Sequence, residues 1–303
     1  VTPRTAGEQP AVPFGPLDLS VAAAMNILWG MNIIAMKVTV GALAPFTAGA
    51  ARLAIVGLIC APWMRPPPGR VRALALFGLI TGGLFLLFLN LALKVATNVG
   101  ALAIVGQMAV PIALVLGAVI LKERMNRAQL AGVAVAIVGI VVLMFDPRIF
   151  GELPGLLLML LAATAWGTSS LVQRQLAGVP VMTLYFWTGL MGTALLLPMS
   201  LVLEPGVLAK LPGLPFAPLA WLAFSVLGAT LAGQGGMAWL LGRHPLSAVM
   251  PLTLAAPVVS VAASHWMFGT PVTASMVIGG LMTLAGVVIV TMARRRALKE
   301  MGA

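Results

Sequence analysis

The stretch ILWGMNIIAMK, residues 27–37, sits in an apolar run, yet it carries a Trp-Gly pair, an Asn and a terminal Lys. A counterpart, ATAWGTSSLVQR, occupies residues 163–174 and sets Trp166-Gly167 against Trp29-Gly30 and Arg174 against Lys37, all at an offset of 137. Further matches keep the same order. Pro180 answers Pro45. Pro257, Thr253 and Ser247 answer Pro111, Gln107 and Ala101 at an offset of 146, and Gly279 and Gly286 answer Gly132 and Gly139 at 147. The register drifts by small insertions, as expected of a duplicated unit.

What is duplicated follows from composition. The 303 residues are 61% hydrophobic and 8% charged, whereas about a quarter of a soluble domain is charged. A bilayer core about 30 Å thick asks for about 20 apolar residues in a helix. Ten such runs are present: 19–38, 45–64, 72–93, 97–120, 128–145, 154–174, 180–203, 217–240, 246–268 and 275–293. Short turn-like links such as RPPPGR and KERMNR join them. The expected fold is an all-α polytopic membrane protein of ten transmembrane helices in two five-helix repeats. The organisation expected is a flexible tail over 1–17, repeats over 18–148 and 149–293, and a basic tail over 294–303. Residues 1–17 hold four prolines and no apolar core of signal-peptide length.

The net charge of +11 sets topology; it does not mark a nucleic-acid surface, because the basic residues stand singly or in small groups between apolar runs. With ten spans both termini share one side. That side collects thirteen basic residues: Arg4, Arg65, Arg70, Arg72, Lys122, Arg124, Arg127, Arg174, Arg243, Arg294, Arg295, Arg296 and Lys299. The other collects four, Lys37, Lys94, Arg148 and Lys210. The positive-inside rule then puts both termini in the cytoplasm, and a bacterial inner membrane is the expected location. An odd number of spans per repeat inverts one copy against the other, a design common among transporters and also found in channels.

The paired units resemble the five-helix modules of the drug/metabolite transporter superfamily, EamA type. The features that carry the resemblance are the Trp-Gly in the first helix of each half, Arg52 in the second helix, and LKERMNRAQLAGVAVAIVGIVVL, an acid after helix four followed by a Gly-spaced fifth helix. The second half departs from the pattern, with Thr270 matching Glu123 and Trp187 where Arg52 would repeat. The resemblance implies export of small metabolites, neutral or aromatic amino acids above all, and a structural or gating role for Arg52.

Helical spacing puts Asn26, Trp29, Asn32 and Met36 on one face, and Trp166, Ser169, Ser170 and Gln173 on another. Polar groups facing lipid would lack partners, so these faces either line a wet cavity or join helices. Asn90 and Lys94 lie one turn apart; Lys94 either meets a carboxylate substrate or snorkels to the interface. Gln107 and Thr253 each precede a proline, Pro111 or Pro257, by four residues, and such helix breaks expose carbonyls or are filled by neighbours. Tyr185 and Trp239 complete the substrate-binding candidates. Arg52 is the costliest residue, since an Arg in mid-span must find carbonyls, water or an acid.

No HExxH, GxSxG or Walker A pattern occurs, and the seven acids lie in tails, loops or helix ends. Neither enzyme chemistry, nor a metal, nor a cofactor is expected, and ordinary proton coupling is weakened. Cys60 is a lone cysteine and reads as a small buried hydrophobe. The expected partners are a small-molecule substrate and the lipid bilayer, for a carrier read as a monomer.

Overall fold

The computed structural model describes residues 14–123, 125–147, 150–244 and 249–301. Arg4, Arg124, Arg148 and Ser247 lie outside them, as does most of the expected N-terminal tail. The described residues are helical, without strands. Among the described residues nine helices are long and apolar enough to span: α1 (Pro16–Leu43), α2 (Pro45–Trp63), α3 (Val71–Val95), α4 (Val99–Ile120), α5 (Arg127–Met144), α6 (Phe150–Arg174), α7 (Val181–Leu203), α8 (Phe216–Leu241) and α10, which spans over Ala274–Ala293. A shorter apolar helix, α9 (Leu252–Phe268), completes a ten-helix membrane protein. The bounds follow the hydropathic runs to within a few residues. At the C-terminus α10 continues as helix through the basic run to Met301, where a tail was expected.

Two pairs of helices from corresponding places in the halves pack antiparallel. In α5 and α10, Gly132 lies against Gly286 and Gly139 against Gly279. A Cβ on Gly139 would stand 2.6 Å from the Gly279 carbonyl, and one on Gly286 would stand 2.5 Å from the Gly132 carbonyl. Between helices in lipid, where apolar surface gains nothing by meeting apolar surface, such backbone approach supplies the packing energy. In α2 and α7, Gly57 lies against Gly189, and Thr47 and Ser200 share a 2.6 Å hydrogen bond. Beyond them the Glu204 carboxylate accepts from the Phe46 N–H (2.9 Å), the Thr47 N–H (2.8 Å) and the Thr47 hydroxyl (2.7 Å). These are orphan amides at the start of α2, so an acid from α7 caps the helix it packs on.

Four helices are irregular at matching places. α4 is interrupted at Gln107-Met108, between Val99–Gly106 and Ala109–Ile120. α9 begins as a tight 3-10 turn, Met250–Leu254, before Ala255. α3 and α8 each carry a π-helical segment, Leu79–Leu84 and Phe224–Ala232. The main core lies toward the end of the bundle away from the termini, where Ile34, Leu93, Leu102, Leu143 and Leu156 are buried together.

The clasp and a surface ion pair should differ in weight. The Arg174–Glu123 pair, 2.5 Å apart, is 32% and 43% exposed, and such pairs contribute under about 1 kcal/mol. Glu204→Ala is expected to cost roughly 2–3 kcal/mol through three lost charge-assisted bonds. Glu123→Ala should stay below about 1 kcal/mol, and thermal unfolding of the purified variants in detergent measures both.

Candidate functional site

Each Trp-Gly pair divides its work between two neighbouring residues. A Cβ on Gly30 would fall 2.8 Å from the Ala256 carbonyl and closer still to Val259, so the glycine admits the backbone of α9 against α1. Ser260 Oγ fastens the contact by donating to the Gly30 carbonyl at 3.0 Å. In the other half a Cβ on Gly167 would stand 3.1 Å from the Ala109 carbonyl and the Ala113 nitrogen, so α6 is seated on α4. The interrupted α4 and the 3-10-led α9 are thus each held by a glycine on a helix that carries a tryptophan. One residue earlier, about 100° round the helix, each tryptophan turns into the space between.

That space is a cavity of about 350 Å³ bordered by α1, α3, α4, α6 and α9. Trp29, Gln107, Trp166, Thr253 and Pro257 line it, five of the residues singled out from sequence. Trp29, Gln107 and Trp166 sit near the middle of their spans, and Thr253 and Pro257 in the first turns of α9. Phe85 of α3 also lines it and packs against Trp166 with ring centroids 4.9 Å apart. Trp29 Nε1 donates to the Ala229 carbonyl of the α8 π segment at 3.1 Å, fixing its ring without using substrate. Trp166 is 41% exposed. Aromatic faces at the centre of an apolar span, with an amide and a hydroxyl at the helix breaks, suit an amphipathic molecule.

The remaining candidates lie elsewhere. Ser169 and Ser170 donate to the Trp166 carbonyl at 2.8 and 3.0 Å and so turn back on their own helix. Asn32 Oδ1 accepts from Ser225 Oγ at 2.7 Å, joining α1 to α8. Lys94 is exposed at the end of α3. Lys37 instead reaches that end, donating to the Leu93 and Ala96 carbonyls at 2.6 and 2.5 Å. Trp239 lies under the Arg243 guanidinium, 3.8 Å from ring centroid. Tyr185 packs beside Val56, Cys60 and Phe186. Pro111 is buried one turn beyond the α4 break, outside the lining. Arg52 and Asn90 border a separate small cavity with Met36, Thr39 and Ser225. Sequence reasoning passed over Ile33, Met159 and Ala163, which line the large cavity; they stand at i+4 from Trp29 and at i−7 and i−3 from Trp166, so the same helical spacing reaches them.

The profile of the EamA-like transporter family matches residues 18–145 and again residues 153–292. The chain belongs to that family. The two matches to this EamA transporter fall on either side of residues 146–152. It is 29% identical over 282 residues to a "probable amino-acid metabolite efflux pump" of Salmonella typhimurium, covering 90% of this chain and 94% of the relative. It is 26% identical over 281 residues to one of Escherichia coli K12, again with 90% and 94% covered. An uncharacterized inner membrane transporter of E. coli K12, YhbE, is 30% identical over 260 residues, with 78% of each chain covered. A solved structure described only as "Crystal structure of protein" superimposes with a TM-score of 0.61 over 93% of this chain and 98% of its own, at 22% identity, which extends the likeness to the fold.

Adding a methyl at the two glycines should rank them. Gly30→Ala is expected to lower stability by about 1–3 kcal/mol, since α9 must move away from α1. Gly167→Ala, with the looser approach, should cost less; detergent melting temperatures of the two variants give the order.

Proposed function

We propose that this EamA transporter exports small metabolites, neutral and aromatic amino acids foremost, by alternating access. The observation that carries the reading is the mid-span cavity with Trp29 and Trp166, from matching helices of the two halves, on its wall. Its volume of about 350 Å³ falls in the small-molecule range, which begins near 300 Å³. The names of the Salmonella and E. coli relatives favour amino acids.

The halves are inverted repeats in this reading, and the antiparallel glycine contacts of α5 on α10 support it. If residue 132 corresponds to 279 and 139 to 286, exchanging the halves turns the 132–286 contact into the 279–139 contact. A two-fold axis relating antiparallel spans lies in the membrane plane, as inverted topology requires. Breaks in α4 and α9 and π segments in α3 and α8 supply places where the halves bend or rock about a fixed site. Both termini lie in the cytoplasm of a bacterial cell and the chain sits in the inner membrane, on the charge count of its loops and the inner-membrane relative. Residues of one chain line the cavity, in keeping with a carrier that works as a monomer.

Counterflow in proteoliposomes tests this. Labelled phenylalanine or leucine should accumulate transiently and saturably against unlabelled amino acid inside; non-saturating flux of any small solute would contradict a carrier. Trp29→Ala and Trp166→Ala should each lower the initial rate about tenfold, the worth of one aromatic contact, with membrane insertion intact. Lys94→Ala should leave the rate within about twofold, since an exposed lysine at a helix end snorkels to water.

A further inference from the structure

Arg52 lies inside α2 and no carboxylate pairs with it among the described residues. Its guanidinium, with five N–H donors, meets two acceptors: Nη1 reaches Met36 Sδ at 3.1 Å and Nη2 reaches Thr230 Oγ1 at 3.0 Å. A thioether is a weak acceptor for a cation removed from water. The surroundings nevertheless fix the arginine with care. Thr230 Oγ1 donates onward to the Ser225 carbonyl (2.9 Å), a five-residue reach made inside the α8 π segment, and so turns its lone pairs to Arg52. Ser225 Oγ holds Asn32, whose Nδ2 also points at Met36 Sδ, 3.8 Å away. The cavity against Arg52 is about 10 Å³, the room of one water. Asn90, 2% exposed, borders it; its Nδ2 donates to the Pro45 carbonyl at 2.9 Å, while its Oδ1 is buried without a partner.

The small cavity shares no lining residue with the large one, but α1 and α3 border both. Trp29 and Ile33 line the large cavity, Met36 and Val40 the small. Those four positions, spaced four, three and four apart, form one stripe of α1. Between Ile33 and Met36 the helix rises about 4.5 Å, less than the length of an amino acid. Along α3 the corresponding step, from Phe85 on the large cavity to Asn90 on the small, is five residues or about 7.5 Å. Met36, unbranched and flexible, is the residue of that stripe on the small cavity nearest the large one.

Resting on the amino-acid reading above, we propose that Arg52 anchors the carboxylate of the transported amino acid. Met36 swings aside, and the carboxylate replaces its sulfur as the acceptor for Nη1. Asn90 Oδ1 accepts from the α-ammonium, and the side chain lies in the large cavity between the tryptophans. The family resemblance implied a structural or gating role for Arg52; a cation without a carboxylate partner among the described residues, an orphan acceptor and a flexible thioether in the guanidinium's place of contact point to direct contact.

Binding to the full chain in nanodiscs, read by displacement of labelled phenylalanine, tests the assignment. Phenylalaninamide, which lacks the carboxylate, should bind about tenfold or more weakly than phenylalanine. 3-Phenylpropionate, which lacks the ammonium, should bind better than phenethylamine, which lacks the carboxylate. Arg52→Gln should bring phenylalanine and its amide to within about threefold of each other, and Arg52→Lys should keep part of the preference for the acid. Equal binding of acid and amide by the native protein, or an unchanged preference in Arg52→Gln, overturns the proposal. Should Arg52→Gln fail to fold, the native comparison and Arg52→Lys still decide. Direct binding of labelled probes separates the two readings: 3-phenylpropionate preferred to phenethylamine while phenylalanine does not bind removes the amino-acid reading and leaves the carboxylate site. No binding of any of the four removes both.

Discussion

The close approach of one helix backbone to another, possible only where a Cβ is missing, sets the geometry of this bundle. In lipid there is no hydrophobic gain from bringing two apolar helices together, so dispersion and shape must hold them. Gly30 against α9 and Gly167 against α4 fix the two irregular helices to the two that carry Trp29 and Trp166. Because tryptophan and glycine are adjacent, the seating of a broken helix and the aiming of an aromatic ring are one event. The glycine pairs between α5 and α10 set a second interface in the same way.

The second constraint is the satisfaction of polar groups far from water. Most hydroxyls in the spans turn back to carbonyls of their own helix, as Ser169, Ser170, Thr39 and Thr188 do. Acids and lysines act at helix ends: Glu204 caps α2, and Lys37 closes the end of α3. Against this background Arg52 and Asn90 stand out, because the fold leaves them incompletely partnered at a place that adjoins a cavity.

Much of this was legible in sequence. Apolar runs bounded by Pro, Gly and charge gave ten spans to within a few residues, because length and hydropathy are what a bilayer selects. The internal matches pointed to Trp29, Trp166, Gln107 and Thr253, which meet on one cavity. Other features depend on neighbours that no local pattern names. Whether Asn32 faces a cavity or a helix is decided by Ser225, 193 positions away. Lys37 and Lys94 both stand at the ends of apolar runs in the sequence, and only the packing of α1 beside α3 shows which one turns its ammonium onto carbonyls. The π segments of α3 and α8 carry no residue that announces them; in α3 the segment includes Gly82, packed on the Thr188 carbonyl of α7.

The central claim is that the mid-span cavity between Trp29 and Trp166 holds the transported molecule. Cys60 is buried and is the chain's single cysteine, so a Cys60→Ala background allows one new cysteine at Ala163 or Ala256, both on the cavity wall. The measurement is the rate at which a small thiol reagent modifies that cysteine in membranes, with and without phenylalanine or leucine. Substrate should slow modification at both positions severalfold and leave a cysteine at exposed Lys94 unaffected. Equal rates with and without substrate at Ala163 and Ala256, in protein that still performs counterflow, would contradict the account.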